Sequence, residues 1–135
     1  MPERIDLISL QSTWATSPTV VVSVDPASLE GEIVVDTEFV KGRKKVSLHS
    51  DDIAEWAEVL EALDGEETGS WMEAASRTVL TIEWDDEYDY LWVTVEDRVG
   101  SMATVRVQVG PDEYWLDDHF DRLARFREAS PKLSG

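Results

Sequence analysis

The hydrophobic period of this chain switches between two values, and those switches restrict the fold more than any single motif. Ile53, Trp56, Ala57, Leu60 and Leu63 recur at helical spacing and form one apolar stripe on a helix over residues 51–63. Leu116, His119, Phe120, Leu123 and Phe126 repeat that spacing in a second helix, with Pro111 suited to its first turn. Elsewhere the apolar residues run close to period two, the mark of strands: 5–10, 19–25, 32–40 and 44–49 before the first helix, then 71–74, 78–84, 90–96 and 102–109. The first of these alternates through Ile5, Asp6 and Leu7, then breaks at Ile8. Turn signals separate the runs: Asp25-Pro26, Gly31, Lys41-Gly42-Arg43 joining the third and fourth, and residues 85–89 as a hairpin tip. The order implies an α+β fold, an antiparallel meander of about seven or eight strands with two helices packed on one face.

The helix ends carry their own signals. Ser50 or Asp52 supplies the N-cap of the first helix, Glu55 completes a capping box from Asp52, and Gly65 is its stop. Asp118 with Arg122 and Asp121 with Arg125 are favourably ordered ion pairs one helical turn apart.

Size and composition support one domain over residues 1–135, because 42% hydrophobic residues, six of them Trp within the 135, suffice for a core. The absence of cysteine excludes disulfides and thiolate metal sites, so folding rests on packing. Charges flank the short apolar run near the N-terminus, and no stretch approaches the roughly 18 apolar residues of a membrane span, so a cytoplasmic protein with nothing trimmed is expected.

The net charge of −17 is unevenly distributed. Residues 46–97 hold 16 Asp and Glu against Arg77 alone, whereas Lys41, Arg43, Lys44 and Lys45 form a small basic cluster and Arg122, Arg125 and Arg127 a cationic last turn. Nucleic acid and anionic membrane should be repelled. The exposed side of the first helix shows Asp51, Asp52, Glu55, Glu58, Glu61 and Asp64 with no Lys or Arg to pair them, at a cost of a few tenths of a kcal/mol for each like-charge pair. Solubility alone is met by mixed signs, so this unrelieved face points to a basic partner.

No arrangement for chemistry stands out. His49 and His119 lie on different elements with no metal-ligand spacing, and His119 falls on an apolar stripe, where a core imidazole is expected. Asp85, Asp86, Glu87 and Asp89 lack the glycine and terminal Glu of a calcium loop, and phosphate-loop and nucleophile-elbow motifs are absent. Neither a metal nor a cofactor is expected, nor catalysis. Of the tryptophans, Trp56 belongs to the core, whereas Trp71, Trp84 and Trp92 flank acidic loops and are candidates for an interface.

Taken together, Ser50-x-Asp52-Ile53-x-x-Trp56-x-x-x-Leu60-x-x-Leu63, Leu80-x-Ile82, Val93-x-Val95 and Pro111-x-x-x-Trp115-Leu116-x-x-His119-x-x-Leu123 resemble a family of small actinobacterial proteins of unknown function. That family is similar to the WapI-like immunity proteins of polymorphic toxin systems. The resemblance spans about residues 30–128, rests on core and capping positions, and carries over no catalytic residue. It implies an inhibitor that blocks a cognate toxin, many of which are basic nucleases. The expected contact face comprises Glu55, Glu58, Glu61, Glu66, Trp71, Trp84, Asp85, Asp86, Glu87 and Asp89. Two alternatives are a partner-binding or assembly module, which would expose a sheet face or edge, and a small enzyme, which would place a histidine beside a carboxylate in a pocket.

Overall fold

The structure, a computed structural model, describes residues 4–13, 18–72, 78–131 and 133. Arg77, residues 73–74 of the run read as a strand at 71–74, and Trp14 lie outside these residues. The strands β1 (Ile5–Gln11), β2 (Thr19–Val24), β3 (Glu30–Asp36) and β4 (Lys41–Ser47) form one antiparallel sheet in chain order. Helix α1 (Ser50–Asp64) leads to a second antiparallel sheet of β5 (Gly69–Trp71), β6 (Thr78–Trp84), β7 (Leu91–Asp97) and β8 (Thr104–Val109), and α2 (Trp115–Ala129) follows. The fold is α+β, and its eight described strands are arranged as two four-stranded meanders.

Alternation along the strands delivers Val20, Val22, Val24 and Ile33 from the first sheet and Leu80, Ile82 and Val93 from the second into one buried cluster. The α1 stripe joins it through Ile53, Trp56, Leu60 and Leu63, and α2 through Leu123 and Phe126. Each large side chain removed from water this way contributes about 1.5–3 kcal/mol. The break in alternation at Ile8 is a β-bulge: the register against β2 shifts between Asp6 and Ile8, so that Leu7 and Ile8 are both fully buried.

The outer edge of β1 is covered by α2. His119 Nε2 accepts a hydrogen bond from the Ser9 N–H at 3.0 Å, its Nδ1 donates to the Trp115 carbonyl at 2.6 Å, and Arg122 donates to the Asp6 carbonyl at 2.9 Å. His119 is therefore a buried, neutral imidazole whose two nitrogens both serve the fold, and burial lowers its pKa. The two expected ion pairs of α2 form, at 2.7 Å for Arg122 with Asp118 and 2.9 Å for Arg125 with Asp121.

Several boundaries differ from the sequence expectation, each for a local reason. The β3–β4 turn is residues 37–40, not Lys41-Gly42-Arg43, because the Thr37 hydroxyl accepts from the N–H groups of Phe39 and Val40 and closes the turn early. The N-cap of α1 is His49, whose N–H donates to the Asp52 carboxylate at 2.8 Å; Glu55 instead accepts from the Met72 N–H. Gly65 caps the C-terminus of α1 as expected but keeps φ −87°, and the left-handed residue after it is Glu66, at φ 62°. With Glu67 N–H bonded to Ala62 and Glu66 N–H to Leu63, α1 ends in a Schellman motif that places a non-glycine where glycine is favoured. Met102 is likewise left-handed at φ 63°, which delays β8 to Thr104, and α2 begins at Trp115 rather than at Pro111. No helix among the described residues is long and apolar enough to cross a membrane.

Candidate partner-binding site

The C-terminal end of α1 and the β6–β7 hairpin tip are fastened together by Trp84, whose indole N–H donates to the Leu63 carbonyl at 3.0 Å. Its ring meets Trp115 edge-on, 5.6 Å between centroids, so Trp84 is held from both sides. Between these elements lies an open cleft of about 500 Å³, lined by Glu66, Thr68, Trp84, Asp85, Asp86, Tyr88 and Asp89. Five of the ten residues expected to form the contact face therefore converge on one concavity.

The tip is rigidified by a carboxylate that does not face outward. Asp85 accepts hydrogen bonds from the backbone N–H groups of Glu87 at 2.9 Å and Tyr88 at 3.1 Å and from the Trp92 indole at 2.9 Å. These donors, the Glu87 N–H foremost, hold its pKa below the ordinary carboxylate value and keep it ionised. Arg106 stacks over Trp92 at 4.1 Å and balances this charge from behind. Asp86, Glu87 and Asp89 project from the rigid turn and are exposed, as is Tyr88 at 61%. The Tyr88 ring stands 5.6 Å from Tyr90.

The helix that ends beside this cleft also carries exposed carboxylates. Glu58, Glu61 and Asp64 are exposed, and no ion pair among the described residues reaches them, Glu66, Asp86 or Asp89. Asp64, Glu66 and Glu67 crowd the helix C-terminus, where the macrodipole already places negative charge and α1 has no basic residue. No group of three His, Asp or Glu among the described residues is placed to hold a metal ion.

Two expected contact residues face elsewhere. Trp71 is fully buried, tilted against Trp56 at 5.4 Å, with its indole N–H bonded to the Asp52 carbonyl at 2.7 Å; it belongs to the core and offers a partner no surface. Glu55 is half-buried, and its carboxylate is engaged by Met72. Tyr88, in contrast, was not among the expected residues. Its signal was its place in the tip, flanked by Glu87 and Asp89, where an aromatic ring has no core to enter.

The fold and the cleft together define an α+β domain of two antiparallel meanders with an acidic, aromatic-lined concavity between helix end and hairpin tip. The chain belongs to the family of unknown function DUF5959, which it matches over residues 5–131. No curated protein and no solved structure matches it.

Proposed function

We propose that this protein is a non-enzymatic inhibitor that binds a basic partner protein through the α1 face and the cleft, in the manner of an immunity protein blocking a toxin nuclease. The observation that supports this reading is a set of carboxylates without cationic partners among the described residues: Glu66, Asp86 and Asp89 line one concavity whose walls include Trp84 and Tyr88, and Glu58, Glu61 and Asp64 are exposed on the helix that ends beside it. A nuclease site built to hold phosphates presents the complementary pattern. Steering by such a surface raises association rates by about 10- to 1000-fold at low salt and weakens as screening grows. The aromatic walls supply desolvated contact that salt does not screen, and a cationic side chain entering the cleft stacks on Tyr88.

The test is complex formation with the basic protein encoded beside this gene, followed by calorimetry at about 50 and 300 mM salt. Wild type is expected to bind and to weaken at the higher salt. Glu58→Lys combined with Glu61→Lys is expected to slow association at least tenfold and to flatten the salt dependence. Unchanged association and salt dependence in that double variant would refute this placement of the face.

A further inference from the structure

We propose that the edge of β4 over residues 41–45 binds an acidic extended segment of a partner protein by strand addition, with one apolar side chain of that segment entering the cavity between the two sheets. This site is separate from the acidic cleft and does not depend on the function proposed for it.

β4 ends the first sheet and pairs only with β3 among the described strands. The hairpin closes with the Thr37 N–H bonded to the Val40 carbonyl. Counting the antiparallel alternation from that pair, Gly42 and Lys44 bond to β3, whereas the backbone groups of Lys41, Arg43 and Lys45 point outward. The side chains of these same three residues share the outer face of the strand. The ion pairs of Lys41 with Asp36, at 3.4 Å, and of Arg43 with Glu32, at 3.6 Å, leave both cations more than 70% exposed. From Lys41 to Lys45 the edge thus offers backbone groups without a partner among the described residues, and positive charge in register.

The inner face supplies the specificity. Gly42 has ordinary backbone angles, and a Cβ added to it meets nothing within 4 Å, so the fold itself does not require glycine here. Glycine within a strand is destabilising relative to alanine, and such a glycine often marks close approach by another backbone or a ligand. Here it leaves open a cavity of about 170 Å³ whose lining is mostly apolar, with Ile33, Val35, Val95 and Val105, and includes the Lys44–Asp97 ion pair. A strand laid along β4 directs alternate side chains inward and outward, so its matching pattern is carboxylate, branched apolar, carboxylate. The apolar side chain enters beside Gly42, and the carboxylates meet Arg43 and its neighbours. A second copy of this chain fits poorly, because two antiparallel β4 edges would oppose Lys41, Arg43 and Lys45 with one another.

The experiment titrates the full chain into two labelled, N-acetylated peptides, one alternating Glu with Val and one alternating Glu with Ser, and reads fluorescence anisotropy. The Val peptide is expected to bind about tenfold or more tightly than the Ser peptide, in line with burial of a branched side chain. Gly42→Val, which fills the cavity mouth, is expected to reduce Val-peptide affinity about tenfold while leaving Tm unchanged or higher. Arg43→Glu with Lys45→Glu should abolish binding, and the amides of Arg43 and Lys45 should gain protection from hydrogen exchange in the complex. Equal binding of the two peptides, indifference to Gly42→Val, or absence of binding would overturn the proposal. So would a concentration-dependent dimer that protects those amides, which would make a second copy the occupant. If the double charge reversal unfolds the chain, the peptide pair and Gly42→Val still decide.

Discussion

Replacing Glu66 by glycine should stabilise the fold while weakening the proposed partner contact. Glu66 holds φ 62° at the position that completes the Schellman motif of α1. A non-glycine residue held left-handed costs about 1–2 kcal/mol. Glycine removes that cost but adds unfolded-state freedom worth about 0.5–1 kcal/mol. Removing a carboxylate from the negative end of the helix dipole contributes a further ~0.3 kcal/mol. The sum is a gain of about 0.3–1.8 kcal/mol, a rise in Tm of roughly 1–8 °C for a domain of this size. Thermal unfolding followed by circular dichroism measures it, with Glu66→Ala as the control that removes the charge and keeps the backbone strain. If the alanine variant gained as much as the glycine variant, charge and not backbone conformation would be the source. A loss of stability in Glu66→Gly would refute the left-handed assignment itself. Because Glu66 also lines the cleft, the glycine variant should bind the basic partner less well, separating stability from function at one position.

Three further outcomes follow from buried or hydrogen-bonded groups. Trp71→Phe should cost about 2 kcal/mol more in urea unfolding than Trp56→Phe, because it loses the bond to the Asp52 carbonyl, whereas the buried Trp56 indole N–H meets no acceptor among the described residues and its removal relieves an unpaired donor. Asp97 accepts from the N–H groups of Ser101, Gly100 and Val99 and from the Ser101 hydroxyl, which hold its pKa far below 3.8; Asp97→Asn should lower Tm at pH 7, and that deficit should shrink below about pH 3.8, where the unfolded chain takes up the proton first. His119 has its pKa lowered from 6.5 by burial, so the stability it contributes is present above that value and is lost as pH falls below it; His119→Gln should be less stable at pH 7 and show a flatter stability profile between pH 7 and 5.

Much of this architecture could be read from period alone, because burial of a stripe leaves the same mark on sequence that it leaves on structure. Ile53, Trp56, Leu60 and Leu63 announce α1, the carboxylate-rich run at 85–89 announces the hairpin tip, and the alternation visibly breaks at Ile8, where the register shift shows the cause to be a bulge. Period two does not encode which strands share a sheet, and so the division into two meanders on either side of α1 was not legible. Nor was the choice between neighbouring turn formers. Gly42 looked like a chain reversal, but the Thr37 hydroxyl bonds placed that turn earlier; Gly65 does stop α1, while the left-handed residue of that end falls on Glu66. The cleft was half legible for a related reason. Charge identifies Glu66, Asp86 and Asp89, but only packing separates the enclosed Trp71 from Trp84 at the cleft, and only hydrogen bonds separate the inward Asp85 from its outward neighbours.

The distribution of charge also determines whether the two proposed surfaces interfere. β7 starts at Leu91, beside the acidic tip, and ends at Asp97, whose carboxylate meets Lys44 of β4 at 3.3 Å. Six residue steps at about 3.3 Å each separate these ends by ~20 Å. That is about two Debye lengths at 0.1 M salt, so at physiological ionic strength the acidic cleft neither neutralises the β4 edge nor competes for its ligand. At low salt the fields overlap, and the net charge of −17 then opposes approach of an acidic segment to β4 while favouring approach of a basic protein to the cleft. The two ligands should therefore respond to salt with opposite sign. Moderate salt should weaken the basic partner, and it should first relieve the long-range repulsion that hinders the acidic strand. A common direction for both would mean that one surface accounts for both interactions.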